Sequence, residues 1–125
     1  MVSVCFYFQV HQPYRLANYR IFDIGKNHNY FDEEKNKEIL NKVAEKCYLP
    51  TNQILYELLQ KYPQFRISFS FSGVVIEQFR KWRPDVLTSF KKLVATKRAE
   101  LISETYYHSL AFIYSKPEFL RQVQL

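Results

Sequence analysis

The sequence predicts a parallel α/β fold, and three observations carry that prediction. An apolar run from Val2 to Val10 stops abruptly at His11-Gln12-Pro13. A second run alternates, with Phe65, Ile67, Phe69 and Phe71 interleaved by Arg66, Ser68, Ser70 and Ser72. A third, Ala99 to Thr105, leads into Tyr106-Tyr107-His108. Segments of helical period separate the three, and strands alternating with helices build a parallel sheet. Polar residues placed where a buried strand stops lie at its carboxyl end, where parallel α/β folds keep their active sites.

Each element follows from its local pattern. Val2 to Val10, dominated by Val, Phe and Tyr, reads as a strand buried on both faces. Tyr14 to Lys35 has no convincing period; its interleaved aromatics suggest an ordered excursion that either walls a cleft or packs onto the rim of the fold. Ile39, Leu40, Val43, Ala44 and Cys47 fall at helical spacing, as do Ile54, Leu55, Leu58, Leu59 and Tyr62. Pro50 and Pro63 punctuate these helices, with Thr51 or Asn52 available as an amino-terminal cap. Gly73 ends the alternating strand, two helices follow over Val74 to Trp82 and Pro84 to Ala95, and Lys116-Pro117 opens a last one.

Composition sets the outer limits. A chain of 125 residues holds at most one domain, and 47% hydrophobic with 18% aromatic residues is enough for a packed core. No apolar run approaches the roughly twenty residues of a membrane span, and the amino terminus has no basic stretch followed by a cleavable apolar core. The expected setting is therefore cytoplasmic, with no membrane partner. Cys5 and Cys47 lack metal-type spacing and are expected to be small buried hydrophobes. The net charge of +6 is concentrated in Arg80, Lys81, Arg83, Lys91, Lys92, Lys97 and Arg98. These surround apolar positions of helical spacing, as on the solvated face of an amphipathic helix, and no helix-turn-helix or zinc-finger motif accompanies them, so nucleic acid is not expected as a partner.

Strand parity selects the residues that face inward. In an extended first strand Cys5, Tyr7, Gln9 and His11 share one face, while Val4, Phe6, Phe8 and Val10 share the other, which is better suited to cover by helices. Ser70 and Ser72 meet the same criterion in the second strand, and Glu100, Ile102 and Glu104 share a face in the third. Glu100 and Glu104 are too far apart on an extended strand to act as a catalytic pair on one bond. Four residues of strand separate their side chains by roughly 13 Å, whereas such pairs stand about 5 to 9.5 Å apart. Ser109 lacks a nucleophile elbow.

Phe6 to Leu16, containing His11-Gln12-Pro13, resembles the first signature of glycoside hydrolase family 57, and Glu104-Thr105-Tyr106-Tyr107-His108-Ser109-Leu110 resembles the second in its α-amylase-like branch. Phe22 to Lys26, Lys46 to Asn52 and Ser68 to Gly73 read like connecting stretches of that branch, so the resemblance runs from Val2 to about Phe112. It implies that residues 1–125 are the amino-terminal portion of a TIM-barrel-like catalytic (β/α) barrel, its first three strands and intervening helices, with no second domain. Such barrels need about 200 residues or more, so this one is incomplete. The implied activity is retaining hydrolysis or 4-α-glucanotransfer on α-1,4-glucans, with no cofactor. The nucleophilic glutamate and general-acid aspartate belong to later motifs beyond Leu125, so no catalytic residue is expected within the chain. His11, Gln12, Glu100, Glu104, Tyr107 and His108 are the expected substrate-binding residues. Glu100 matches the motif glutamate that follows a glycine by three positions, with Lys97 standing where that glycine would be. Glu104, nearer the carboxyl end, is the geometric second choice. The alternatives are a metal-dependent barrel hydrolase or deacetylase acting on carbohydrate, and a non-catalytic carbohydrate-binding or assembly fragment. Open barrel edges also make self-association an expectation.

The histidines lack the close spacing of zinc ligands. Elemental analysis of the purified protein is therefore expected to find no stoichiometric metal, and chelators to leave its melting unchanged. One zinc per chain would promote the deacetylase-like alternative.

Overall fold

The computed structural model describes residues 2–125. β1 (Tyr7–Val10), β2 (Ile67–Phe71) and β3 (Ala99–Ile102) form a parallel sheet in that spatial order. α1 (Glu33–Val43) and α2 (Leu49–Lys61) connect the first two strands, α3 (Gly73–Trp82) and α4 (Pro84–Ala95) connect the next two, and α5 (Ala111–Tyr114) and α6 (Lys116–Gln124) follow β3. This is the expected α/β arrangement, a three-stranded portion of a (β/α) barrel.

β1 is shorter than the apolar run that encodes it. Strands exist where a neighbour pairs with them, and β2 reaches back only to the level of Tyr7, which pairs with Ser68. Val2 and Val4 stay exposed. β1 is also not buried on both faces: Tyr7 is 53% exposed, whereas Val10 is 4% exposed. The register explains the asymmetry. Tyr7 and Gln9 stand beside Ser68 and Ser70 on one face, which Glu100 and Ile102 of β3 continue; Phe8 and Val10 stand beside Phe69 and Phe71 on the other.

The second face is covered by helices. Val10, Ile67, Phe69 and Ala99 pack with Leu40, Leu55, Leu59, Val75, Phe79, Val86, Phe90 and Leu93 in one buried cluster. Burying each large side chain contributes about 1.5–3 kcal/mol, so this cluster holds the sheet against its helices. The Phe79 and Phe90 rings stack at 6.0 Å, and Phe90 meets Phe69 and Phe71 edge-on at 5.5 and 4.9 Å.

Three helices start at residues suited to that position. Asp32 accepts from the Lys35 amide at 3.0 Å at the start of α1, Pro84 opens α4, and Ser115 accepts from the Glu118 amide at 3.3 Å at the start of α6. Pro50 does not end a helix, and neither Thr51 nor Asn52 is a cap. A π-helical turn over Ala44–Tyr48 joins α1 directly to α2. Pro50 falls in the first turn of α2, where its missing N–H is tolerated, and the helix passes through. Asn52 is instead buried within α2 and donates to Ser89 Oγ at 2.8 Å, which ties α2 to α4. Cys47 lies on the exposed side of that π turn and Cys5 precedes the paired part of β1, so both are exposed rather than buried.

The excursion after β1 is ordered. An antiparallel bridge joins Leu16 to Phe31, Tyr19 donates its hydroxyl to the carbonyls of Asp23 and Asn27 at 3.0 and 2.9 Å, and a single 3-10 turn spans Ile21–Asp23. Its aromatics pack on one another and on α3: Tyr14 on Phe31 at 5.0 Å, Tyr19 on Tyr30 at 5.1 Å, and Tyr14 on Trp82 at 6.3 Å.

Gly73, the first residue of α3, is required for a close approach. A methyl group there would lie 2.1 Å from the Tyr106 ring. That ring is pinned because Tyr106 donates its hydroxyl to Glu77 Oε1 at 2.6 Å, which pushes the phenol pKa up to about 12. Gly73→Ala must displace the ring, and the expected loss is about 1–3 kcal/mol of unfolding free energy. Denaturant titration checks this, and Gly73→Ala made in a Tyr106→Ala background should cost much less.

Candidate functional site

At the carboxyl edge of the sheet the exposed face of the strands becomes polar. Glu104 follows β3 by two residues, and its side chain is only 8% exposed. A carboxylate can only accept, so the direction of every hydrogen bond around it is set. Ser70 donates to Oε2 at 2.7 Å, and Gln9 Nε2 donates to Oε1 at 3.2 Å. His108 Nδ1 contacts Oε1 and supplies a third donor. Because Ser70 gives its hydrogen to Glu104, the Tyr7 hydroxyl, 2.7 Å away, must donate to Ser70. Gln9 Nε2 also lies 3.0 Å from His108 Nδ1, but both atoms are donors toward the carboxylate and do not bond to each other.

His108 adopts φ +52°, a left-handed conformation in which histidine, like asparagine and aspartate, is enriched among residues other than glycine. Its surroundings hold it there. Its amide donates to the Thr105 carbonyl at 3.0 Å, its Nδ1 is held by Glu104, and its ring lies on that of His11 with centroids 4.7 Å apart and planes inclined at 44°.

His11 leaves β1 one residue beyond Val10, at the level of Ser72, and its Nδ1 is 2.6 Å from Ser72 Oγ. Burial lowers the His11 pKa below its ordinary 6.5, the neighbouring His108 lowers it further, and Glu104 opposes both. Two buried amides hold the chain just beyond it. Gln78 of α3 donates to the Gln12 carbonyl at 2.6 Å, and Asn36 of α1 accepts from the Arg15 amide at 2.9 Å while donating to the Arg15 carbonyl at 3.2 Å.

Of the expected substrate-binding residues, the fold brings His11, Glu104 and His108 together. Gln12 is adjacent, but its side chain donates to the Tyr48 hydroxyl at 3.4 Å. Tyr107 turns outward, where its ring meets Tyr106 at 4.9 Å and Arg121 at 5.9 Å, because the chain turns at Thr105 and strand parity no longer applies. Glu100 pairs with Ser68 at the far end of the sheet and lines a concavity of about 730 Å³ with Phe65, Arg66 and Arg98. It shares the polar face but lies near the start of β3, at the opposite end from Glu104. Lys97, which stands where the resembled motif has a glycine, has φ +59°, a conformation glycine enters freely. Gln9 and Tyr7 join the site although neither was among the expected binding residues; the signal for both is their shared parity with His11. Among the described residues no group of three or more His, Cys, Asp or Glu side chains is arranged to hold a metal.

The depressed His11 pKa has a consequence for stability. Below pH 6.5 the unfolded chain protonates this imidazole while the folded chain resists. Stability from this group is therefore complete above pH 6.5 and falls as pH drops from there through the folded value. Thermal melts between pH 8 and pH 5 should show Tm falling across that window, with a shallower fall in His11→Asn; equal slopes would remove His11 from the account.

Comparison with known proteins places these features in a family. Residues 5–125 match the pattern of glycosyl hydrolase family 57. The chain is 41% identical over 128 residues to the "Putative alpha-amylase" of Methanocaldococcus jannaschii, covering 98% of this chain and 26% of that protein. It is 23% identical over 83 residues to the 4-alpha-glucanotransferase of Thermococcus litoralis, covering 66% of this chain and 13% of that protein. The crystal structure of that 4-alpha-glucanotransferase overlays 94% of this chain on 15% of its own, with a TM-score of 0.61 at 21% identity, and so shares the fold. This chain thus spans only a small part of the relatives it matches. With the family pattern covering all but its first four residues, the chain belongs to glycosyl hydrolase family 57.

Proposed function

We propose that residues 1–125 are the amino-terminal portion of the catalytic barrel of an α-1,4-glucan hydrolase or 4-α-glucanotransferase, and that they supply sugar-binding groups rather than the reacting carboxylates. One observation carries the reading: His11, Glu104 and His108, drawn from the two segments that resemble family signatures, meet at the carboxyl edge of a parallel sheet. The names of the relatives support the substrate class. In the mechanism the resemblance implies, a glutamate attacks the anomeric carbon and an aspartate protonates the leaving oxygen, both from motifs outside these residues. His11 hydrogen-bonds a sugar hydroxyl and so positions the ring for that attack.

The polar face of the sheet is the side on which the remaining strands of the barrel close. Leu101 and Ile102 are exposed on β3, as are Leu110, Phe112 and Ile113 after it. Left uncovered, these residues and the unpaired strand edge favour self-association through the open barrel edges. Both cysteines are free, which supports a reducing, cytoplasmic setting; among the described residues no helix is long and apolar enough to cross a membrane.

If His11 binds the sugar more strongly in the transition state than in the ground state, His11→Ala in the full-length protein should lower turnover on maltooligosaccharides about ten- to a hundredfold with the fold intact. Release of reducing ends, with circular dichroism to check folding, measures this; undiminished turnover would return His11 to a packing role.

A further inference from the structure

The turn that carries Glu104 and His108 is tied to α6 by one buried side chain. Gln122 is the one residue of that helix that is buried, and at 5% exposure its amide needs a partner at each end. The partners settle which way the amide points. Glu118, one turn earlier, receives two bonds from Arg121, at 2.8 and 2.7 Å, and these hold its pKa down at about 2. It is a carboxylate, which only accepts. Gln122 Nε2 therefore faces Glu118, to which it donates at 2.8 Å, and Oε1 faces the turn. There Oε1 accepts from the Ser109 hydroxyl at 2.8 Å, while the Gln122 backbone carbonyl accepts from the Tyr106 amide at 3.2 Å.

Tyr106 and Ser109 bracket His108, so Gln122 fixes the chain on both sides of it. The other ties to the turn act on one side only: α3 holds Tyr106 through Glu77 and the Val74 amide, and the strands hold Glu104 through Gln9 and Ser70. We propose that Gln122 is a positioning residue. By holding Ser109 and Tyr106 it sets where the His108 ring lies against His11 and Glu104, without a hydrogen bond to any of the three. An apolar side chain could fill the same space, but only directed bonds fix the turn at one height, and a displacement of about 1 Å at a site can cost about a hundredfold in rate. The proposal rests on the glucan reading above only for the reaction in which such a displacement is measured.

The test uses the full-length protein. Gln122→Met keeps the side-chain bulk and the backbone carbonyl but removes the acceptor for Ser109; Ser109→Ala removes the same bond from the other side, and Ser109→Thr retains it. The His11 imidazole, followed by NMR titration, reports where His108 lies, because burial and His108 lower its pKa from 6.5 while Glu104 raises it. Moving His108 away weakens both lowering effects, so the His11 pKa is expected to rise toward 6.5 in Gln122→Met and Ser109→Ala and to stay at the wild-type value in Ser109→Thr. Turnover on maltooligosaccharides should fall about tenfold in the first two and remain in the third. A folded Gln122→Met protein with an unchanged His11 titration overturns the proposal and leaves the glucan reading standing. So does an unchanged turnover in a protein whose wild type is active. If Gln122→Met fails to fold, the Ser109 pair decides, and the same His11 titration in Ser109→Ala and Ser109→Thr overturns the proposal. A wild type inactive on maltooligosaccharides, with the His11 pKa responding as expected, refutes the glucan reading and leaves Gln122 in its positioning role.

Discussion

Glu104 is the constraint on which the rest of the site depends. A carboxylate that is 8% exposed needs donors, and the fold supplies them from β1 through Gln9, from β2 through Ser70 and from the following turn through His108. The carboxyl ends of the strands are thus tied together on their polar face by charge-assisted hydrogen bonds, just as Phe69, Phe79 and Phe90 tie the opposite face to the helices. Removing one partner of such a network leaves a desolvated charge, so its members succeed or fail together.

The left-handed backbone at His108 follows from this arrangement. β3 ends at Ile102, two residues before Glu104, and the chain must turn sharply to bring a second group back to the same carboxylate. The turn at Thr105 and the positive φ of His108 do so. Tyr106 is driven into the space over Gly73, and its hydroxyl bond to Glu77 fastens the turn to α3. Gly73, Tyr106, Glu104 and His108 therefore act as one unit, and α3 also fixes the other side of the site through Gln78.

What was legible in the sequence was whatever depends on local period. Alternation placed Phe69 and Phe71 toward the helices and Ser70 and Ser72 toward the site, and the same parity placed His11 with Gln9 and Tyr7. Features that depend on distant partners were not legible. The start of β1 is set by how far β2 extends, which nothing in Val2 to Cys5 reveals. Pro50 reads as a helix stop until the π turn before it is seen. Tyr107 and Glu100 mark two limits of parity: beyond Ile102 the strand no longer continues, and along a strand parity gives the face but not the height. The Lys97 position shows the converse, since a residue bearing a side chain adopts there the positive φ that glycine enters freely.

The central claim, that Glu104 is the shared acceptor joining the strands around the two histidines, is tested most directly by a double-mutant cycle on unfolding free energy with Glu104→Gln and Ser70→Ala. The account predicts a coupling of about 1 kcal/mol or more, because the Ser70 hydroxyl has its charged acceptor only while the carboxylate is present. Strictly additive effects would contradict it.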